Sequence, residues 1–146
     1  MRDGLLVLHI LSAAAWIGGG LYAWYAFTHL ARAGGEAGAS VPLLARTADR
    51  YFGPAAGLTL LTGIVLVLTV DPWGWTDAFV LVGLGVFLFS AIWQPLVSNK
   101  VQARLLAAVD GEESTDQAIK GFHRASAVDL ATLVFAVWAM VTKLGY

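Results

Sequence analysis

The sequence has no cysteine and few charged residues. Without cysteine, disulfide bonds, thiolate metal sites, covalently attached c-type haem and cysteine catalysis are all excluded. Charged residues make up 13% of the chain, against about a quarter of a typical soluble domain. The formal net charge of −1 at pH 7 gives no reason to expect nucleic-acid binding. The sequence also lacks a phosphate-binding loop, a nucleophile–base triad and a carboxylate cluster, which argues against hydrolases and phosphoryl-transfer enzymes.

Long apolar runs take the place of the missing charge. Hydrophobic residues make up 58% of the chain, and no charged residue lies between Asp3 and Arg32. That run is longer than the roughly 20 residues that cross the hydrocarbon core of a bilayer. Because the runs are continuous rather than alternating in polarity, helices are expected to span the membrane.

Four such runs predict one transmembrane domain. The predicted spans are residues 4–30, 51–70, 78–99 and 125–142, and the predicted loops are 31–50 and 100–124. Within the second loop, a helix is expected to continue span three beyond Lys100 until an acidic turn at 110–114, after which Ser114 and Thr115 can cap a short helix leading into span four. Small residues after Ser12 resemble a signal-peptide cleavage site. The apolar run continues far beyond them, so the first span is expected to be retained. The predicted fold class is therefore all-α, a polytopic membrane four-helix bundle.

Basic residues are unevenly divided between the two sides of this bundle. The two loops together carry seven lysines and arginines, whereas the other side carries only Arg2 and Lys143. By the positive-inside rule, both termini face outward and both loops face the cytoplasm. Contact with the lipid bilayer is expected along all four spans.

Glycine and proline indicate how the spans pack. Membrane helices associate through close backbone approach, and small residues mark where this occurs. The sequence offers Gly18–Gly20 in span one and the pair Gly53 and Gly57 in span two. These faces predict a homo- or hetero-oligomer. In span three, Pro95 cannot donate a hydrogen bond to the carbonyl of Ala91, so a kink is expected there.

His9 is an ionisable residue inside the first span, which makes it a functional hypothesis. At one hundred degrees per residue, it shares one helical stripe with Ser12, Trp16 and Gly20. That stripe is expected to face the interior of the bundle. A neutral histidine there can bind haem iron or copper, relay a proton, or hydrogen-bond to a neighbouring helix.

The other ligand-type residues fall on two sides of the membrane. Span four carries Met140 to a depth similar to that of His9, so the predicted cofactor site consists of His9, Trp16 and Met140. Its occupant is haem b or copper, or the protein has no cofactor. His29 and His123 form an alternative site at the inner face. Twenty helical residues separate His9 from His29 by about 30 Å, so they cannot share one site.

Asp129 is the only carboxylate within a span. Its candidate partners include Arg124 and His123 on its own helix and Gln94 on span three. A paired carboxylate would be a structural clamp, and this interpretation is favoured. Unpaired, it would be protonated and could carry protons.

The first span resembles the start of a family of small bacterial predicted integral membrane proteins of unknown function. The shared pattern is His9, then Trp16, then Gly18 and Gly19. Three further stretches fit the family, namely 45–50, 54–63 and the passage from Trp75 to 82–84. The resemblance covers spans one to three and implies a multi-pass protein of the bacterial plasma membrane.

The same opening is similar to the copper-resistance D family and to membrane-embedded, haem-associated protoporphyrinogen oxidases. In those oxidases a first-span histidine is needed for activity, and a lysine in a later span accompanies it. His9 and Trp16 match this pattern, whereas Lys100 lies only at the edge of span three. The resemblance implies a haem- or metal-associated role at His9.

Three functions follow as hypotheses. The leading one is a non-hydrolytic membrane protein that binds haem or a metal at His9 and serves a redox or porphyrin-related role. The second is a cofactor-free accessory or structural subunit of a larger membrane complex, for example a respiratory one. The third is a small proton-coupled transporter component that uses Asp129 and His9.

Overall fold

The computed structural model describes residues 2–70, 73–111 and 114–143 and is all-α. Its helices are α1 (Arg2–Ala33), α2 (Gly35–Gly38), α3 (Val41–Thr69), α4 (Ala78–Trp93), a π-helical turn (Gln94–Ser98), α5 (Asn99–Val109) and α6 (Thr115–Thr142). The α4 helix, the π-helical turn and α5 run on as one helix. Four of the resulting helices are long and apolar enough to cross a membrane. The predicted all-α fold with four candidate spans is confirmed.

The four long helices alternate in direction. Phe27, late in α1, packs edge-to-face on Phe122, early in α6, with ring centroids 5.3 Å apart. Tyr51 of α3 reaches back to Ala15 in the middle of α1. We call the end with Arg2, the α3–α4 connection and the end of α6 the terminal end, and the opposite end the loop end. Which end faces the cytoplasm stays a prediction.

The best-buried core lies at the loop end. Val41 and Leu105 are fully buried there, and Phe27 nearly so. The cluster joins residues from α1, α3, α5 and α6. Residues 31–50, which the sequence predicts as a loop, are largely helical, and α3 begins at Val41 rather than near Tyr51. The helix expected to continue span three beyond Lys100 is present as α5, and α6 begins at Thr115, where the sequence predicts a cap. The helices therefore continue as a packed bundle past the predicted spans.

A smaller cluster lies nearer the terminal end. Val86 of α4 packs on Leu133 and Ala136 of α6, and Trp16 of α1 covers them. Most other large apolar side chains along the candidate spans are exposed. In a membrane these side chains face lipid tails, which are as apolar as leucine, so their exposure carries no penalty there.

The π-helical turn lies where the sequence predicts a distortion. Pro95 has no N–H to donate, so the regular ladder of hydrogen bonds cannot pass through it. The N–H of Asn99 instead donates to the carbonyl of Gln94, five residues back. One turn before it, the Ser90 hydroxyl and the Trp93 indole N–H are buried and have no partner among the described residues.

Candidate functional site

His9 faces α3. Its Nδ1 lies 3.0 Å from the backbone carbonyl oxygen of Thr59 and 3.0 Å from the hydroxyl of Thr62. The ring rests on Gly63, because a Cβ atom at that residue would lie 3.1 Å from Cε1 of His9. The glycine thus allows the imidazole to lie close to α3.

The hydrogen-bond partners of His9 fix its tautomer. A carbonyl oxygen only accepts, so Nδ1 must donate to Thr59. The Thr62 hydroxyl donates its own proton within α3, 2.7 Å from the carbonyl of Leu58, and is therefore also an acceptor for Nδ1. In the neutral ring the lone pair is then on Nε2, which forms no hydrogen bond with any residue the structure describes.

Trp16 and Met140, the other two predicted cofactor residues, contact α4 rather than α3. The Trp16 ring meets that of Phe87 edge-to-face, with centroids 6.2 Å apart. A Cβ atom at Gly83 would lie 2.7 Å from Cε of Met140. Because Gly83 and Phe87 are four residues apart, the two side chains contact one face of α4 a turn apart.

Helix register places His9 and Met140 at a similar depth. Gly20 of α1 faces Leu130 of α6, where a Cβ atom would lie 3.3 Å from the leucine Cδ2. His9 lies eleven residues before Gly20, and Val141 lies eleven residues after Leu130. The antiparallel register therefore brings His9 level with Met140 and Val141, to within about one turn. At that shared depth, however, the described contacts of His9 are to α3 and those of Met140 are to α4.

The two histidines of the alternative inner-face site have separate surroundings. His29 is exposed, and its ring centroid lies 4.1 Å from that of Tyr25. His123 lies with Nε2 3.3 Å from the hydroxyl of Thr28, and its ring meets Trp24 edge-to-face. The structure shows no bond between the two histidines in the described part of the chain.

Asp129 lines a cavity instead of forming the favoured clamp. Its carboxylate has no hydrogen bond and no ion pair with residues 2–70, 73–111 or 114–143. In the described residues, none of the candidate partners forms the hydrogen bond or ion pair that the clamp requires. Arg124 is exposed, and His123 bonds to Thr28 instead. The cavity measures about 70 Å³, and Gln94 of the π-helical turn also lines it.

Several residues that contact His9 or line the cavity beside Asp129 are not predicted from the sequence. Thr59, Thr62 and Gly63 surround His9, and Ser98 and Gln102 line the cavity beside Asp129. An available signal was the position of both threonines beside a glycine in an apolar span, since Thr59 lies four residues before Gly63 and Thr62 directly precedes it. Their pairing with His9 depends on the register between α1 and α3, which no local pattern encodes.

Histidine and carboxylate positions limit what the site can hold. Among the described residues, no three histidine, cysteine, aspartate or glutamate side chains come together as a metal site would require. A group that needs one protein nitrogen fits His9, whereas an ion that needs several protein ligands does not.

A family model for predicted integral membrane proteins (DUF2269) matches residues 4–144. The chain belongs to this family. Within DUF2269, the match runs from the start of α1 to the end of α6 and confirms the predicted membership in a family of integral membrane proteins of unknown function. No curated protein and no solved structure matches the chain.

Proposed function

We propose that this DUF2269 protein is a membrane-embedded haem-binding protein with a redox or porphyrin-related role, in which Nε2 of His9 is the protein's ligand to the haem iron. The observation that carries the proposal is the hydrogen bond from Nδ1 of His9 to the carbonyl of Thr59. Histidines that bind metals almost always donate their other ring N–H to a carbonyl or carboxylate, which fixes the tautomer and makes the ligand more basic.

The donor set favours haem over copper. Haem brings four equatorial nitrogens, so one imidazole is enough to hold it. Copper needs further protein ligands, and Met140, the one candidate, packs against Gly83 of α4. When bound, haem supplies one-electron chemistry or oxygen chemistry. The residues of the chain orient the imidazole and keep its lone pair on Nε2.

The similarity of His9 and Trp16 to the opening of copper-resistance D proteins and of protoporphyrinogen oxidases agrees with this proposal. The surroundings of Trp16 suggest a supporting role rather than ligation. Its ring packs among Phe87, Val86 and Ala136, so it braces α1 against α4 and α6. It thereby fixes the rotation of the helix that presents His9.

The same hydrogen bonds favour a second candidate, a cofactor-free accessory subunit in which His9 only joins α1 to α3. Interhelical hydrogen bonds in membranes contribute about 0.6 kcal/mol on average. In this candidate the side chain acts only through the hydrogen bonds of Nδ1 to α3, and Nε2 has no role. The two candidates therefore differ in which ring nitrogen is essential.

Asparagine at position 9 separates the two ring nitrogens. His9→Asn keeps an N–H donor close to the position of Nδ1 and has nothing in place of Nε2. The wild type, His9→Asn and the matched control His29→Asn are purified in mild detergent and titrated with haemin. The measurements are the visible spectrum, the bound iron and copper, and the unfolding temperature.

We expect a Soret band in the wild type and in His29→Asn, and its loss in His9→Asn with little change in unfolding temperature. Met140→Leu tests the predicted second ligand, because the band would shift if the Met140 thioether bound the iron. A wild type that neither purifies with haem nor takes it up would overturn the haem proposal. A band that survives in His9→Asn would overturn the assignment to His9, and stoichiometric copper without iron would replace haem by copper.

A further inference from the structure

The cavity beside Asp129 lies in the loop-end half of the bundle, away from His9. Its walls come from α1, α3, the π-helical turn, α5 and α6, and it measures about 70 Å³. One water molecule needs about 10–15 Å³ of such space. The cavity is therefore large enough for several waters or for one small organic ligand.

Five polar side chains meet in this cavity. They are Gln94, Ser98, Gln102, Ser126 and Asp129. None of the five forms a hydrogen bond through its side chain with another described residue. All five are half-buried, so their polar atoms remain available to water, an ion or a ligand. Their convergence from three helical segments gives a small ligand several hydrogen-bonding atoms within one cavity.

Asp129 can give the cavity a negative charge. Among the described residues that line the cavity, Asp129 alone has an ionisable side chain, and the other four polar side chains are neutral. A carboxylate in a membrane span is costly unless a positive charge or a proton compensates it. None of the basic residues that the structure describes forms an ion pair with Asp129. The compensating charge is therefore either a proton or a bound cation, and the rest of the cavity lining decides which of the two the site suits.

Aromatic rings indicate the kind of cation. Trp24, Phe27, Phe52 and Phe122 line the same cavity. Faces of aromatic rings attract organic ammonium groups, and the attraction grows when the cation loses its water. Calcium instead takes six to eight oxygen ligands, including carboxylates, and magnesium usually keeps several waters and is bound through one or two carboxylates plus other oxygen groups. Asp129 is the only carboxylate among the described residues that line the cavity, and aromatic rings occupy much of the remaining wall.

The π-helical turn forms one wall of the site. Gln94 begins the turn and Ser98 ends it, and both line the cavity. Single π-helical turns inside α-helices occur frequently at functional sites. The wider turn changes the direction in which residues on either side project, and so brings the two side chains to the same wall.

We propose that the cavity between α1, the π-helical turn and α6 binds a small organic ammonium ion, with Asp129 as its counter-charge and the aromatic rings as its walls. This inference is independent of haem at His9. Eleven helical residues separate His9 from Gly20, which lines the cavity, and this corresponds to about 16 Å along α1.

The test compares organic ammonium salts with sodium chloride at equal ionic strength. Tetramethylammonium and methylammonium chloride are added to the purified protein in mild detergent, and the unfolding temperature is measured. Asp129→Asn removes the charge with little change in shape. Asp116→Asn is the matched control, because Asp116 lies exposed on the same helix. Trp24→Leu removes one aromatic wall.

We expect the organic ammonium ions to raise the unfolding temperature of the wild type and of Asp116→Asn above the sodium value, and not that of Asp129→Asn. Trp24→Leu is expected to bind about tenfold more weakly. Equal effects of sodium and organic ammonium on the wild type would overturn the proposal, and so would a shift retained in Asp129→Asn.

A second measurement uses the wild type alone and remains decisive if Asp129→Asn fails to fold. Dicyclohexylcarbodiimide, an apolar reagent, modifies carboxyl groups within membranes, and mass spectrometry locates the modified residue. Tetramethylammonium has no N–H and cannot couple to the activated carboxyl. We expect it to protect Asp129 and to leave Asp116 unprotected. Modification of Asp129 at the same rate with and without tetramethylammonium would overturn the proposal.

Discussion

The ring of Tyr51 occupies the space that a side chain at Gly19 would need. A Cβ atom at residue 19 would lie 2.5 Å from Cε1 of Tyr51. The tyrosine hydroxyl also donates a hydrogen bond to the backbone carbonyl of Ala15 at 2.9 Å, one turn away on the same helix. Contact between α1 and α3 therefore depends on a ring and a glycine that fit together.

Gly19→Ala is expected to destabilise the protein by roughly 1–3 kcal/mol, the usual cost of overpacking a close contact. The added methyl group must displace the Tyr51 ring and with it the bond to Ala15. Thermal unfolding in detergent measures the effect. Gly18→Ala is the matched control, because nothing lies within 4 Å of its new Cβ atom. Equal losses in the two variants would contradict the role assigned to Tyr51.

Gly63→Ala tests the position of the imidazole of His9. The new methyl group would lie 3.1 Å from Cε1 of His9, so the ring must move away from α3 and its bond to the Thr59 carbonyl lengthens. We expect a loss of about 1 kcal/mol, smaller than for Gly19→Ala, together with weaker uptake of haemin. Gly57→Ala on the same helix meets nothing within 4 Å and serves as the control. Haemin uptake unchanged in Gly63→Ala would contradict the prediction.

Two buried serines should respond to alanine in opposite directions. The Ser12 hydroxyl donates to the carbonyl of His9 at 2.9 Å, whereas the Ser90 hydroxyl has no partner among the described residues. Removing an unsatisfied buried hydroxyl is neutral or stabilising, and removing a bonded one costs about 1 kcal/mol. Unfolding temperatures of Ser90→Ala and Ser12→Ala measure the contrast. A clear loss of stability in Ser90→Ala would show that its hydroxyl has a partner after all.

Because the chain has no cysteine, its orientation can be mapped with single cysteines. Ala39→Cys is exposed at the loop end and Thr76→Cys is exposed at the terminal end. The excess of lysine and arginine near the loop end predicts that Ala39→Cys faces the cytoplasm. A membrane-impermeant maleimide added to intact cells should therefore label Thr76→Cys and reach Ala39→Cys only after permeabilisation. The reverse pattern would invert the predicted topology.

The fold class could be predicted from the sequence because each membrane span requires a long run of apolar, uncharged residues. The absence of charge between Asp3 and Arg32 predicts a helix, and the described α1 runs from Arg2 to Ala33. Pro95 predicts an interruption for an equally local reason, and the π-helical turn lies there. In both cases the cause lies within one segment of the chain.

The candidate site could be predicted only in part, because its contacts join distant segments. The chemistry of His9 and Asp129 is visible in the sequence, but their partners depend on how the helices are rotated and aligned. Sequence reasoning gave Asp129 a partner on α6 or span three, and the structure leaves it facing a cavity. Residues 31–50 also look like a loop because charge interrupts them, yet most of them are helical and pack on α5 and α6.

The buried cluster at the loop end gives the two halves of the molecule different responses to solvent. The continuous helix Ala78–Val109 has 32 residues and is about 48 Å long, whereas a hydrocarbon core is about 30 Å thick. Leu105 lies in the section of this helix that extends beyond the hydrocarbon core at the loop end, and Val41 of α3 belongs to the same buried cluster. Packing in that cluster is driven by the exclusion of water. Urea weakens that driving force. Inside the bilayer the helices do not pack through exclusion of water, so urea has little effect on them there. Urea should therefore melt the buried cluster at the loop end first and leave the four spans embedded.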